Sequence, residues 1–154
     1  MISQSITLDS LKSDLGGLIL KFADFEAKHQ QRVITTAVGE IKLNSGEEYV
    51  GLIVSADACK NHHIILLPGE RNDINWKDAN AWAESIGGEL PDRCEGALLF
   101  ATMKDRFQPE WYWTREQHAS YSDYAWYQYF LDGHQYLSYE SYQGRARAVR
   151  RVAI

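Results

Sequence analysis

The chain is poor in cysteine, proline and methionine, with two, three and two of them among 154 residues. Cys59 and Cys94 stand far apart with no CxxC partner, which excludes a closely spaced zinc motif and a disulfide framework. Both are expected as reduced thiols. Long apolar runs are also missing. Leu18–Leu20 and Ile64–Leu67 fall far short of the ~20 residues that a membrane-spanning helix needs, so no membrane insertion is expected. Cations are in the minority, 16 Lys and Arg against 21 Asp and Glu for a net charge of −5. That balance argues against a nucleic-acid partner held through phosphates. Neither a P-loop nor a dinucleotide-binding glycine pattern occurs. Met1–Gln4 lacks the charged region and following apolar stretch of a secretory leader. The expectation is a cytoplasmic protein, or one assembled into a phage particle.

What is present is the composition of an ordinary folded domain, 45% hydrophobic and 24% charged. Residues 1–45 differ in texture from the remainder. Leu8, Leu11, Leu15, Leu18, Phe22 and Phe25 recur at steps of three and four, one stripe of an amphipathic helix interrupted by Gly16-Gly17. Two readings stay open for this helical segment: the stripe packs on the domain, or it joins copies of the chain into a homo-oligomer or attaches them to a larger assembly. Residues 46–154 form the second region. Tyr49–Val54 and His63–Leu67 read as β-strands joined across Ala56–Asn61, with Pro68-Gly69 as the stop. A helix follows from an Asn75 N-cap through Trp76, Ala79, Ala83 and Ile86 to Gly87-Gly88. Asp92 with Glu95 is a capping-box pair that starts another helix, running to about Asp105.

The last third is unusual. Trp111 to Tyr142 holds 12 of the chain's 19 aromatic residues. Trp111–Thr114 and Ala125–Phe130 read as strands, Asp132-Gly133 as a tight turn into Tyr136–Tyr139, and Ala146–Val152 as one closing strand. The element order makes an α+β domain with small antiparallel sheets. Tyr, Ser, Asp and His dominate the stretch, and tyrosine offers a large amphipathic contact at the cost of ordering two torsions, as in antibody paratopes. Alternation along the strand sets Trp126, Gln128 and Phe130 against Tyr127 and Tyr129. Trp126 and Phe130 are expected in the core. Tyr127, Tyr136 and Tyr139 are expected together on an exposed face. The candidate ligand-binding residues are Tyr121, Tyr124, Tyr127, Tyr129, His134, Tyr136, Tyr139 and Tyr142.

Other constellations carry less chemistry. His62 and His63 are adjacent and so face opposite sides of a strand, a poor metal site. His118, Ser120 or Ser122, and Asp123 nominally form a nucleophile set, but they crowd into six residues without a nucleophile elbow. Arg145, Arg147, Arg150 and Arg151 do not share one face and are expected as solvated charges or internal ion pairs. No catalytic residue, metal site or cofactor is assigned.

The series Trp76-x-x-Ala79, Gly87-Gly88-x-Leu90-Pro91-x-x-x-Glu95, Trp111-Tyr112-Trp113-Thr114, Ala125-Trp126, Phe130-x-x-Gly133 and Arg147-Ala148-Val149-Arg150 resembles the Lcl C-terminal-like domains of bacterial and phage proteins, in the C-type-lectin-like superfamily. The resemblance spans about residues 48–154. It implies two helices flanking small antiparallel sheets, with a terminal strand pair joining the chain ends and a face in the last third that binds a protein or glycan. The calcium-dependent sugar site of that superfamily is not matched, since Gln108-Pro109-Glu110 has no Trp-Asn-Asp partner. The Tyr, Ser, Asp and His vocabulary also resembles variable segments diversified by retroelements on this fold. A non-catalytic ligand-binding module of phage or prophage type is therefore expected. The rivals are a small protein that inhibits an enzyme or defence complex by direct binding, and an enzyme on a scaffold like that of formylglycine-generating proteins, whose catalytic cysteines are not recognisable here.

Overall fold

The computed structural model describes residues 7–29, 31–37, 39–56 and 60–154. Cys59 and much of the expected turn before Asn61 lie outside them. The chain divides into two compact units, residues 1–45 and 46–154. In the first, α1 (Leu8–His29) runs unbroken through Gly16 and Gly17. Thr7 starts it: its hydroxyl accepts a hydrogen bond from the Ser10 amide at 3.2 Å. The segment is not helical throughout. Arg32–Thr36 (β1) and Gly39–Leu43 (β2) pair as an antiparallel hairpin, favoured by the β-branched run from Val33 to Thr36 and by Gly39 in a positive-φ turn position.

Among the described residues, the second unit contains two sheets and two α-helices. β3 (Glu48–Ile53), β4 (His62–Leu66) and β10 (Val149–Ala153) form a three-stranded antiparallel sheet in the order β10-β4-β3. β5 (Arg71–Ile74), β6 (Trp111–Gln117), β7 (Tyr124–Tyr129), β8 (Gln135–Tyr139) and β9 (Gly144–Ala146) form the other, in the order β5-β9-β6-β7-β8. β6 and β9 run parallel, a departure from the all-antiparallel expectation. The strand at Arg71–Ile74 was not foreseeable from its sequence, which lacks a hydrophobic alternation. α2 (Trp76–Ser85) is capped by Asn75, whose side chain accepts the Asp78 amide at 2.9 Å. α3 (Arg93–Met103) carries the full capping box of Asp92 and Glu95, then tightens into a 3-10 turn at Lys104–Arg106.

Successive residues of β6 enter different cores, as strand alternation requires. Tyr112 joins Val50, Ile64, Leu66, Leu99, Phe107, Phe130 and Val149, with Phe107 stacked on Phe130 at 3.9 Å. Trp113 joins Leu67, Ala79, Ala83, Leu90, Ala125, Ala146 and Ala148. Its indole N–H donates to the Ile74 carbonyl at 3.0 Å, and Trp76 donates likewise to Thr114 at 2.7 Å. Both faces of the large sheet are thus covered around β6, while Tyr136 and Tyr139 at the β8 edge stay exposed.

The single closing strand expected over Ala146–Val152 is two strands in two sheets. The chain changes sheet at Arg147-Ala148, where the Ala148 carbonyl accepts the Leu67 amide at 2.9 Å. Arg147 donates to the carbonyls of Arg106 and Leu67 and lies over the Phe107 ring at 5.2 Å. The other terminal arginines also turn inward: Arg145 pairs with Glu70, Arg150 with buried Glu47, and Arg151 with Glu95.

Glu95 is fully buried and its two oxygens serve four donors. Oε1 accepts His62 Nε2 at 2.8 Å and Arg151 Nε at 2.6 Å; Oε2 accepts Arg151 Nη2 at 2.7 Å and the Asp92 amide at 2.7 Å. Burial pushes the carboxyl pKa up, but Arg151, the Asp92 amide and His62 together bring it below its ordinary value of 4.5. Glu95→Gln should lower unfolding free energy by roughly 3 kcal/mol, the scale for removing one charge of a buried pair, measured by urea titration at pH 7. A carboxyl with a depressed folded pKa contributes stability above pH 4.5 that is lost as pH falls through the folded value. Wild type should therefore lose stability over that acid range more steeply than the Gln variant.

Candidate functional site

The aromatic segment is held by an antiparallel ribbon. β6 pairs with β7 through Trp111↔Tyr129, Tyr112↔Gln128 and Trp113↔Tyr127. β7 pairs with β8 in continuous register from Tyr124↔Tyr139 to Gln128↔Gln135. The turn between them rests on Gly133, whose φ of +84° suits glycine and whose absent side chain would strike the Phe100 ring at 2.5 Å. Gln128, buried at its centre, donates to the Gly133 carbonyl at 2.9 Å and accepts from Gln135 at 2.9 Å. The scaffold under the tyrosines is therefore rigid by hydrogen bonding as well as by packing.

Register divides the candidate residues into two groups on opposite faces of the β7–β8 ribbon. Tyr124 and Tyr139 stand directly opposite each other, with ring centroids 4.2 Å apart. Tyr121 lies 6.3 Å from Tyr124, and Tyr142 lies 6.1 Å from Tyr139. His118 extends the row, 5.0 Å from Tyr121. This ladder is open to solvent: Tyr121 is 65% exposed, Tyr139 48% and Tyr142 57%. A hydrogen bond with the Tyr139 side chain, then some burial, pushes the Tyr124 pKa up to about 12, so this hydroxyl stays protonated at physiological pH.

The loop that carries Tyr121 is tied down at both ends. The His118 amide donates to the Tyr124 carbonyl at 2.7 Å, and His118 Nδ1 accepts the Ser120 and Tyr121 amides at 3.1 Å each. Gln117 donates to the Ser122 carbonyl and to Glu140. His118 and its neighbours thus have a structural occupation, and the nominal Ser-His-Asp set does not assemble around His118 Nδ1, which the backbone already uses.

The second group is Tyr127, Tyr129, Tyr136 and His134 with Trp111. Tyr127 sits 4.8 Å from Trp111, 6.3 Å from Trp113 and 5.9 Å from Tyr136; His134 is 5.8 Å from Tyr136. Tyr127 and Tyr129 are half-buried, and Tyr127 packs on the core around Trp113. Burial, then the neighbouring Tyr136, raises the Tyr127 pKa. His134 Nδ1 lies 3.1 Å from Asp132, whose carboxyl pKa is lowered first by the His134 amide. The single face expected for Tyr127, Tyr136 and Tyr139 is therefore corrected: Tyr139 belongs to the other side, because it is three residues on from Tyr136 in an unbulged strand.

The expected core pair is half right. Phe130 is buried, whereas Trp126 is half-buried beneath the Arg93 guanidinium, 3.7 Å from the ring centroid. His62 and His63 are separated by strand alternation, His62 on Glu95 and His63 Nδ1 against the Tyr49 hydroxyl at 2.9 Å. Among the described residues, no three His, Cys, Asp or Glu side chains converge as a metal site.

One feature escaped sequence reasoning. Asn72, Asp73, Glu110, Trp111, Gln143 and Arg145 line a polar cavity of about 230 Å³ at the β5–β9–β6 end of the sheet. Its walls come from three distant segments, so no local pattern in the sequence marks it; in the structure Asp73 there has a φ of 49°, unusual for a residue with a side chain. Arg145 donates to Asn72 Oδ1 at 2.6 Å there.

No protein-family model matches the chain, and no curated protein matches it.

Gly144 sets the position of Trp111. A Cβ at residue 144 would lie 2.8 Å from the Trp111 ring and 3.0 Å from the Trp113 indole nitrogen. Gly144→Ala should displace Trp111 from Tyr127 and cost about 1–3 kcal/mol, the usual range for overpacking, read by chemical denaturation and by a changed near-ultraviolet dichroism band.

Proposed function

We propose that residues 46–154 form a C-type-lectin-like binding module, non-catalytic and of phage or prophage type, that recognises a protein or glycan through its tyrosine-rich surface. The observation that carries this reading is the ladder Tyr121–Tyr124–Tyr139–Tyr142, an exposed row of aromatics on a strand pair whose loops are already hydrogen-bonded. Four adjacent tyrosines are not needed to fill a core from which three of them point away. A pre-ordered row gives up little conformational entropy on binding, and each hydroxyl can direct a hydrogen bond while its ring buries apolar surface.

The lectin-like assignment draws support from the strand order as well as from the motif resemblance. β3 and β4 begin the unit and β10 ends it, and all three lie in one sheet, so the ends of the unit come together. α2 and α3 are the two helices such a domain requires.

The triple variant Tyr121→Ser, Tyr139→Ser and Tyr142→Ser should fold as wild type, since all three side chains are exposed, and should bind at least ~100-fold more weakly, about 1 kcal/mol for each lost aromatic contact. The assay compares retention of both proteins on host lysate, envelope fractions and immobilised glycans, with circular dichroism as the folding control. Equal retention would remove the ladder as the contact surface. A parallel Tyr136→Ser variant reports on the opposite face, and loss there alone would reassign the site to the group around Trp111.

A further inference from the structure

The apolar stripe of α1 is exposed along its length, with Leu8, Leu11, Leu15, Leu18, Phe22 and Phe25 between 52% and 68% accessible. Their spacing is three, four, three, four, three. That is a strict heptad pattern over 18 residues, with Leu8, Leu15 and Phe22 at a and Leu11, Leu18 and Phe25 at d. A 3.5-residue repeat differs from the 3.6-residue turn of a straight helix, and it keeps one seam in line when helices supercoil about each other. The helix also needs such a partner. Its length of 22 residues includes Gly16-Gly17, two weak helix formers in the middle of a segment whose helicity depends on burying an apolar face.

We infer that α1 forms a parallel, in-register coiled coil with the same helix of further copies of this chain. The heptad places the glycines at b and c, away from the seam, where the absence of side chains leaves the contact intact; beyond the helix's own neighbouring backbone, nothing lies within 4 Å of a Cβ at either position. Charges flank the seam in a self-complementary way. Lys21 falls at g and Glu26 at e, five residues later, which is the relation that joins neighbouring helices in a parallel pair. Asp14 at g meets Ile19 at e, so no like charges oppose each other. Ile19 extends the apolar stripe on the e side, and Leu18, Ile19, Phe22 and Ala23 line a shallow concavity where a neighbouring helix can insert a side chain. Leu20, at f, is 73% exposed and lies off the seam. This inference stands apart from the reading of the tyrosine ladder, since it concerns a different unit and a different surface.

The experiment is multi-angle light scattering of the full chain over a series of rising protein concentrations. Wild type should show an integral multiple of 17.6 kDa. Leu15→Asp with Leu18→Asp should run as a monomer, whereas Leu20→Asp, an equally polar change off the seam, should keep the wild-type mass. Near-ultraviolet dichroism of the tryptophans, all of which lie in residues 46–154, checks that this unit stays folded in each variant. Leu15→Cys in a background with Cys59 and Cys94 replaced by Ser tests the orientation, because an a position meets itself only in a parallel register. It should form a disulfide-linked species on mild oxidation. A monomeric wild type at the highest concentration overturns the inference, as does equal disruption by Leu20→Asp; absence of the cross-link overturns the parallel arrangement.

Discussion

A buried carboxylate organises the larger unit. Glu95 sits in the first turn of α3, accepts the Asp92 amide as its capping box, and receives Arg151 from β10 and His62 from β4. One side chain therefore joins a helix start, an inner strand and the terminal strand, which lie 33 and 56 residues from it in sequence. Its charge survives burial because every oxygen lone pair of consequence is met by a donor. An isolated carboxylate in that position would cost more than the fold can offset, so the helix cap and the terminal strand must be in place together. Arg151 continues to Glu89, which also binds Arg115, and so ties the β6 strand into the same set of charges.

That arrangement explains how the aromatic ribbon is presented. β6 contributes Tyr112 to one core and Trp113 to the other, and its outer neighbours β7 and β8 carry the tyrosines toward the sheet edge. Buried Gln128 and half-buried Gln135 link the ribbon to Arg93 at the start of α3, directly beside the Glu95 network. The candidate binding surface is thus supported through hydrogen bonds by the same helix terminus that anchors the closing strand. Its loops gain order from local contacts such as His118 with the amides of Ser120 and Tyr121. A surface built this way holds its tyrosines in set positions, with the rings of Tyr121 and Tyr142 the most exposed of the row.

Much of the local structure was readable from the residues. Asn75 and Asp92 are N-caps because their short side chains reach the amides three residues on, and this is decided within one turn of chain. Asp132-Gly133 turns for an equally local reason. The heptad stripe of α1 and the two-unit texture on either side of residue 45 are likewise patterns of spacing and composition. The hairpin at Arg32–Leu43 was not read from the sequence, because the helical texture before it masked the change of period, although its β-branched run fits a strand. The strand at Arg71–Ile74 has no such pattern, and it exists because β9 lies alongside to receive its hydrogen bonds.

The amino-acid sequence by itself determined the helices, their caps, the turns and the concentration of tyrosine in the last third, because each depends on contacts within a few residues. Only the tertiary structure decided which tyrosines stand together. Alternation says that Tyr136 and Tyr139 face opposite ways, but it does not say which partner each meets; the register of β8 on β7 sends Tyr136 to Tyr127 and Tyr139 to Tyr124. It also decided that the terminal arginines are internal. Their carboxylate partners Glu47, Glu70 and Glu95 lie 103, 75 and 56 residues away, and pairing over such distances follows from the packing of sheets. The break at Arg147-Ala148 has the same origin: one extended segment must serve two sheets, and the point of exchange is set by where Leu67 waits for its backbone partner.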